Sequence, residues 1–338
     1  GVTAAAARND RVETVAAPES VQAPAVEVRD GARSNQVEAV AEAVLPTVVQ
    51  IDIQGGGGLG DATGNGSGVV YRSDGHILTN NHVVDEARNL RVVFADGEKV
   101  PAEVVGRDPL SDLAVVKVER GDLPAIQVAD SAKLRVGQLA VAVGSPFGLE
   151  GSVTAGVVSA VNRPISVGDG IRLPNVIQTD APINPGNSGG ALVGADGRLI
   201  GINSAILTAG SPANAGVGFA IPSNTAVDIA NELISSGEVV YPFLGVQGQD
   251  VGTAAAARLG VERGAVVERV QLGTPAEEAG LRADDVITEV DDRAIESMDD
   301  LIIAIRQADI GDTVAITYIR EERERTTDVT LVEMPEQP

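Results

Sequence analysis

Between residues 47 and 221 the chain is cut into short apolar runs by clusters of glycine, asparagine, aspartate and proline, and this punctuation limits what it can fold into. The runs fall at 47–53, 68–71, 90–94, 113–118, 139–143, 153–161, 175–179, 191–193, 199–203 and 217–221. Short strands at this spacing, with little helical pattern between them, predict a sandwich or barrel. Helical patterns flank the strands. Val37, Val40, Ala41 and Val44 recur at helical spacing until Pro46 stops them. Ala226, Ile229, Ala230 and Leu233 give residues 223–235 an apolar face.

The length of 338 residues is too great for one ordinary core, at about 100–200 residues per domain. Residues 1–35 are rich in Ala, Val, Glu and Pro without sustained periodicity, and read as a flexible tether. Residues 36–236 form the mainly β unit. The chain restarts near residues 236–242, and residues 241–335 alternate strands with two short helices, a small α+β unit. Ser297 caps the second of these helices, with Leu301, Ile302 and Ile305 on one face. Asp291-Asp292-Arg293 and Gly311-Asp312 read as turns. No run of about 18 apolar residues is present. The chain begins at Gly1 rather than Met, which reads as a processed or trimmed chain whose signal or anchor would lie upstream.

A formal charge of −23 argues against a nucleic-acid partner, whose phosphates it would repel. The absence of cysteine removes disulfides, thiolate metal sites and thiol nucleophiles. With two histidines and no aspartate-rich loop of calcium-ligand spacing, neither a metal site nor a cofactor is expected.

Chemistry concentrates in Gly186-Asn187-Ser188-Gly189-Gly190. Glycines beside a serine allow a sharp turn and a close approach of a substrate carbonyl. A glycine-rich loop of any β protein has the same composition, so Ser188 needs partners. The Gly-x-Ser-x-Gly elbow of α/β-hydrolases requires a histidine downstream of the serine, and none follows His82. The order Asp–His–Ser is open by counting, through Asp52 or Asp74, but it belongs to a helix-rich fold. The order His–Asp–Ser fits a β protein. His82, in Asn80-Asn81-His82-Val83-Val84, is then the base; His76 follows an Asp74-Gly75 turn and reads as exposed. Asp112 directly precedes an apolar strand, so its carboxylate is expected to be partly buried and in need of a partner. Its rival Asp108 reads as a surface residue. In this division of labour Ser188 attacks, His82 shuttles the proton and Asp112 holds the imidazole. The N–H groups of Gly186 and Ser188 form the oxyanion hole.

The string Thr-Asp-Ala-Pro-Ile-Asn-Pro-Gly-Asn-Ser-Gly-Gly-Ala-Leu at 179–192 resembles the nucleophile region of the HtrA/Deg serine proteases. Residues 79–84, 111–118, 142–148 and 216–222 resemble the same family, and the likeness runs over about residues 36–335. It implies a chymotrypsin-like double β-barrel followed by one PDZ domain. It implies a serine endopeptidase that degrades misfolded or unfolded protein outside the cytoplasm, in a bacterial periplasm or cell envelope. It also implies homotrimers formed through N-terminal contacts, though residues 36–54 lack the aromatic residues such contacts often use. Pro182 departs from the family's usual alanine and stiffens the approach to the site. It stands where an acid would select basic side chains, with Ile183 next. A small apolar specificity pocket shaped by Ile183 and residues 217–221 is therefore expected, with cleavage after Val, Ala or similar residues. The family orders loops around its active site, and segments 144–153, 163–175, 184–186 and 206–216 match them.

In residues 241–335 the PDZ resemblance rests on Tyr241-Pro242-Phe243-Leu244-Gly245-Val246, on 264–270, on 273–281, on 284–290 and on the helix after Ser297. It implies β-augmentation by extended C-terminal peptides. Phe243, Leu244 and Gly245 would offer N–H groups to the terminal carboxylate, and Leu244, Val246, Leu301 and Ile305 would line a side-chain pocket. The same apolar residues also suit a core. A catalytically silent peptide-binding chaperone or scaffold is the competing function.

Overall fold

The computed structural model describes residues 32–54, 63–85, 87–145, 151–167, 171–184, 186–204, 216–252, 256 and 261–335. Of the stretch read as a tether, residues 1–31 lie outside the described residues. Helix α1, Ala32–Val44, passes through a 3₁₀ turn, Leu45–Thr47, into the first strand, with Pro46 at the break.

Six strands follow: β1 (Val48–Gln54), β2 (Thr63–Val70), β3 (His76–Thr79), β4 (Asn89–Val93), β5 (Lys99–Asp108) and β6 (Leu113–Val118). A one-turn helix, α2 (Asn81–Val84), sits between β3 and β4. The strands close into a barrel in the order β1-β2-β3-β6-β5-β4. The next six are β7 (Leu139–Gly144), β8 (Ser152–Val167), β9 (Ile171–Thr179), β10 (Ala191–Val193), β11 (Leu199–Ser204) and β12 (Gly218–Pro222). They close in the equivalent order, β7-β8-β9-β12-β11-β10. Two antiparallel barrels of one topology remove free sheet edges from both, and the arrangement is that of the chymotrypsin-like fold.

Each barrel has its own interior. Val49, Ile51, Ile77, Val92, Ala114 and Val116 fill the first, and Ala140, Ala142, Ile177, Ala181, Ile183 and Leu192 fill the second. The outward faces of the same strands form a third cluster. Val48, Val69, Leu78, Leu113 and Val115 of one barrel meet Val141, Val143, Ala191 and Ile202 of the other. Helix α3 (Ser223–Ser236) adds Ala226, Ile229, Ala230 and Leu233 to this seam. Strands buried on both faces read as continuous apolar runs rather than alternating ones, which explains Leu-Ala-Val-Val-Lys-Val in β6 and Leu-Ala-Val-Ala-Val-Gly in β7.

Strand β5 escaped the sequence pattern because its sequence, Lys-Val-Pro-Ala-Glu-Val-Val-Gly-Arg-Asp, is largely exposed and its register shifts between Val104 and Gly106. Of the segment 163–175, expected as a loop, residues 163–167 and 171–175 are instead the paired ends of β8 and β9, out to Val167 and Ile171, while residues 168–170 lie outside the described residues. The other loop segments named above include residues 146–150, 185 and 205–215, which lie outside the described residues.

The C-terminal unit is a separate core around Leu244, Ala265, Val267, Ile287, Leu301, Ile305, Ile316 and Tyr318. Its strands are β13 (Pro242–Phe243), β14 (Val246–Asp250), β15 (Ala265–Val270), β16 (Val286–Val290), β17 (Arg293–Ala294), β18 (Thr313–Arg320), β19 (Arg323–Thr330) and β20 (Val332–Glu333). Helices α4 (Pro275–Glu278) and α5 (Met298–Arg306) complete it. Ser297 caps α5 as expected, its Oγ accepting the Asp300 N–H at 3.1 Å. In the order β14-β15-β16-β18-β19, strand β14 is an edge.

The two units meet at Tyr241. Its hydroxyl donates to Asp108 Oδ2, and the Arg306 guanidinium of α5 lies 4.8 Å from its ring centroid. Burial, then the neighbouring Asp108 carboxylate, raises the phenol far above its ordinary range, so it remains a donor. Asp108 is thus not a surface residue: it is 4% exposed, and its other oxygen accepts the Leu110 N–H at 3.1 Å. Its partner lies 133 residues away, beyond the reach of any local pattern. Tyr241→Phe is expected to lower stability by about 1–3 kcal/mol, because it strips a buried carboxylate of a donor. In urea titrations the midpoint should fall, and adding Asp108→Asn should cost less than the sum of the two single changes.

Candidate active site

The residues of interest line the seam between the barrels. Asp112 ends the turn between β5 and β6 with φ +56°, a left-handed backbone that aspartate tolerates better than most residues. Its main-chain oxygen accepts the Asn81 N–H at 3.1 Å and the Asn80 amide at 2.9 Å. These bonds lock the β5–β6 turn to the start of α2, the helix that carries His82.

The side chains then meet. His82 Nδ1 lies 2.8 Å from Asp112 Oδ1 and 2.9 Å from Oδ2. The His82 main-chain N–H donates to Oδ1 at 3.1 Å, and Ser204 Oγ, at the end of β11, donates to Oδ2 at 3.1 Å. A carboxylate that accepts on both oxygens is held in one orientation, and it requires the imidazole proton on Nδ1. Nε2 of a 27% exposed ring is then the accepting nitrogen. His76, by contrast, is partly buried on β3 and pairs with Asp74 at 2.7 Å. This corrects the reading of His76 as exposed: β3 draws its ring against the barrel.

Ser188, 6% exposed, lies in the turn that enters β10. Its carbonyl accepts the Ser67 N–H from β2 at 2.8 Å, a bond that crosses from the second barrel to the first. Gly189 follows with φ +80°. A Cβ there would stand 2.2 Å from Ser67 O and 2.3 Å from Thr79 Oγ1, so only glycine lets the turn press against the strand leading to His82. The turn is held on its other side by Gly189 N–H to Asn203 O and Asn203 N–H to Gly190 O, each 2.9 Å. Gly186, with φ +98°, opens the turn, and Asn187 N–H reaches back to Asn184 O at 2.9 Å.

Ile183 is 1% exposed and lies in the interior of the second barrel beneath Gly218, where a Cβ would meet its Cδ1 at 3.0 Å. In the C-terminal unit, Leu244 and Ile305 are buried in the core beside Leu301, while Phe243 and Val246 are partly buried. Gly245 has φ +90° and packs on Thr274, 2.3 Å from the place of a Cβ. Among the described residues no cluster of acidic or histidine side chains has the makings of a metal site.

Sequence reasoning missed Ser204 and Ser67. Ser204 is the last residue of an apolar strand and carries no local signal. Ser67 lies between two glycines in β2, the same punctuation that drew attention to Ser188. Ser204→Ala is expected to lower kcat about tenfold, roughly 1.4 kcal/mol of barrel-to-barrel support for the aspartate. Full-length protein assayed on a peptide substrate measures this, and an unchanged kcat would deny the hydrogen bond any role.

A trypsin-like peptidase domain matches residues 66–202, and a PDZ domain matches residues 242–331. The chain is 42% identical to the serine protease PepD of Mycobacterium tuberculosis, over 94% of this chain and 69% of that protein. It is also 42% identical to a probable periplasmic serine endoprotease DegP-like of Marinomonas sp., over 82% of this chain but only 59% of that longer protein. Among solved structures, the HtrA-type protease AlgW with tripeptide superposes with a TM-score of 0.78 at 33% identity, covering 89% of this chain and 98% of that one. With its barrels, its seam and its C-terminal unit all matched, the chain belongs to the HtrA family of trypsin-like serine endoproteases that carry a PDZ domain.

Proposed function

We propose that His82, Asp112 and Ser188 form the catalytic triad of an endopeptidase acting on unfolded polypeptides. The observation that carries this reading is the His82–Asp112 pair, fixed at the seam where the Ser188 turn crosses to β2. Ser188 Oγ attacks the scissile carbonyl carbon and passes its proton to His82 Nε2. Asp112 stabilises the resulting imidazolium through Nδ1–H. The oxyanion is received by the N–H groups of Gly186 and Ser188, worth about 10²–10³ in rate per donor. His82 then protonates the leaving amine, and water, activated by the same base, releases the acyl group from Ser188.

Specificity follows from what surrounds the pocket. Ile183 fills the space below Gly218, and Pro182 offers no charge to a basic side chain. Cleavage after small apolar residues is the reading this supports. One experiment tests the chemistry and its selectivity together. Wild-type protein should digest casein and cut a peptide library after residues such as Val and Ala. Ser188→Ala should lose about 10⁶-fold in kcat. An inactive wild type would point to the silent peptide-binding scaffold instead, and strong cleavage after Lys or Arg would overturn the pocket assignment.

The PDZ domain is proposed to take C-terminal peptides and to bias the protease through them. The Gly245 carbonyl accepts Gln271 N–H at 2.9 Å, and Val246 faces Val270. In that register Val246 is a non-hydrogen-bonded pair, so its own N–H and C=O point to the free edge of β14, where a peptide strand would add. The Leu244 carbonyl accepts Ala276 N–H at 2.9 Å, which turns the Gly245 N–H to the opposite side, as a carboxylate loop requires. Ile305 and Leu244 back this groove from the core. The clasp of Arg306, Tyr241 and Asp108 runs from α5 to the turn that bears Asp112, and offers a route for coupling. Val246→Pro deletes the edge N–H without touching the ladder to β15. Wild-type turnover should rise with an added C-terminal peptide, and the Val246→Pro protein should not respond. A full response from the variant would remove the β14 edge from the regulatory path.

A relative described as a periplasmic endoprotease supports an extracytoplasmic location for this chain. Family resemblance supports a homotrimer.

A further inference from the structure

Ser67 is buried completely, in the middle of β2, yet it is a polar residue with every polar atom engaged. Its N–H donates to Ser188 O at 2.8 Å, and its carbonyl accepts Thr79 Oγ1 at 2.8 Å. Its hydroxyl donates to Gly186 O at 2.6 Å and accepts the Ser145 N–H at 2.8 Å. One side chain on the first barrel thus holds two segments of the second, and its main chain holds a third contact to the same nucleophile turn.

The positions of these bonds matter more than their number. An amide N–H points where its peptide plane points, and a plane is fixed once its carbonyl is held. Ser67 Oγ holds the carbonyl of the Gly186–Asn187 peptide. Ser67 N–H holds the carbonyl of the Ser188–Gly189 peptide. The Asn187–Ser188 peptide, which carries the Ser188 N–H, lies between these two pinned planes. Its own carbonyl accepts Gly190 N–H at 3.0 Å. On the other side, the held Gly186 carbonyl fixes the Gly186–Asn187 plane and so removes a rotation of Gly186 about its Cα–C bond. Glycine at φ +98° has no side chain to resist that rotation, so the restraint has to come from outside. The buried hydroxyl supplies it.

From this geometry we infer that Ser67 is a positioning residue for the oxyanion hole formed by the Gly186 and Ser188 N–H groups, aligning the Ser188 N–H through two carbonyl bonds made from the opposite barrel. The inference rests on the reading of Ser188 as nucleophile and of those two amides as the oxyanion donors. Ser67 is not itself a nucleophile, because its hydroxyl is buried and committed as donor and acceptor. Its effect belongs to the transition state: the ground-state carbonyl makes little use of the hole, whereas the developing oxyanion depends on it.

The test is Ser67→Ala in the full-length protein, beside wild type and Ser188→Ala. It uses a chromogenic peptide ending in valine and two inhibitors, a valine boronic acid peptide as transition-state analogue and the matching cleaved peptide as ground-state ligand. Ser67→Ala should lower kcat about 10- to 100-fold with KM within twofold of wild type. Boronate affinity should fall by a similar factor and cleaved-peptide affinity should not. The shape of the kcat/KM pH profile should be the same as in wild type. A kcat and boronate affinity equal to wild type, or a loss confined to KM, overturns the inference while leaving the triad intact. If Ser188→Ala still hydrolyses the peptide, the reading of the site itself fails, whatever Ser67→Ala does. Should Ser67→Ala not accumulate as folded protein, Ser67→Cys keeps both main-chain bonds and offers only a weak donor; the same kcat-only loss is expected from it, and wild-type kcat would overturn the inference.

Discussion

A carboxylate taken out of water between two β-barrels must be paired, and the pairing of Asp112 dictates the geometry around it. An uncompensated charge in such a place would cost several kcal/mol. Here both oxygens accept hydrogen bonds, from the His82 ring, the His82 main chain and Ser204. The first two come from the first barrel and the third from the second. The same bonds that satisfy the charge therefore hold the imidazole and lock the barrels in one relative position. The geometry proposed for catalysis and structural necessity coincide in that carboxylate.

The seam is otherwise a matter of shape. Each barrel closes its own sheet and fills its own interior, so neither needs the other for its strand-to-strand hydrogen bonds. What joins them is a layer of Val, Leu, Ile and Ala from the outward faces, together with a few main-chain bonds across it. Gly189 permits the closest approach, and Ser67 N–H to Ser188 O marks where it occurs. The Ser188 turn is consequently supported by the barrel it does not belong to. A third contact, Tyr241 on Asp108, extends the support to the PDZ unit.

Much of this is legible in the amino-acid sequence. The apolar runs, the glycine-flanked serine, the scarcity of histidine and the position of Asp112 before an apolar strand each have a local physical cause. Where the reading failed, the cause was distant in sequence. Asp108 looked like a solvated turn residue because Tyr241 is 133 residues on. Strand β5 carries exposed polar side chains and a bulge, so no period marks it. The segment 163–175 is rich in turn formers, and pairing between residues 163–167 and 171–176 decides the conformation of its two ends. Ser204 and Ser67 are ordinary residues within strands, and their importance exists only in the folded chain. Leu244 and Ile305 illustrate a different limit, since an apolar pattern alone cannot separate a groove from a core.

Because the chain has only two histidines, the central pairing is open to direct observation. Nitrogen-15 NMR of imidazole-labelled protein at neutral pH reports the tautomer of each ring, with His76→Gln assigning the signals. The pairing described here predicts that His82 is the Nδ1–H tautomer, with a downfield, slowly exchanging Nδ1 proton that disappears in Asp112→Ala. A His82 ring protonated on Nε2, or an Nδ1 signal indifferent to Asp112, would contradict it.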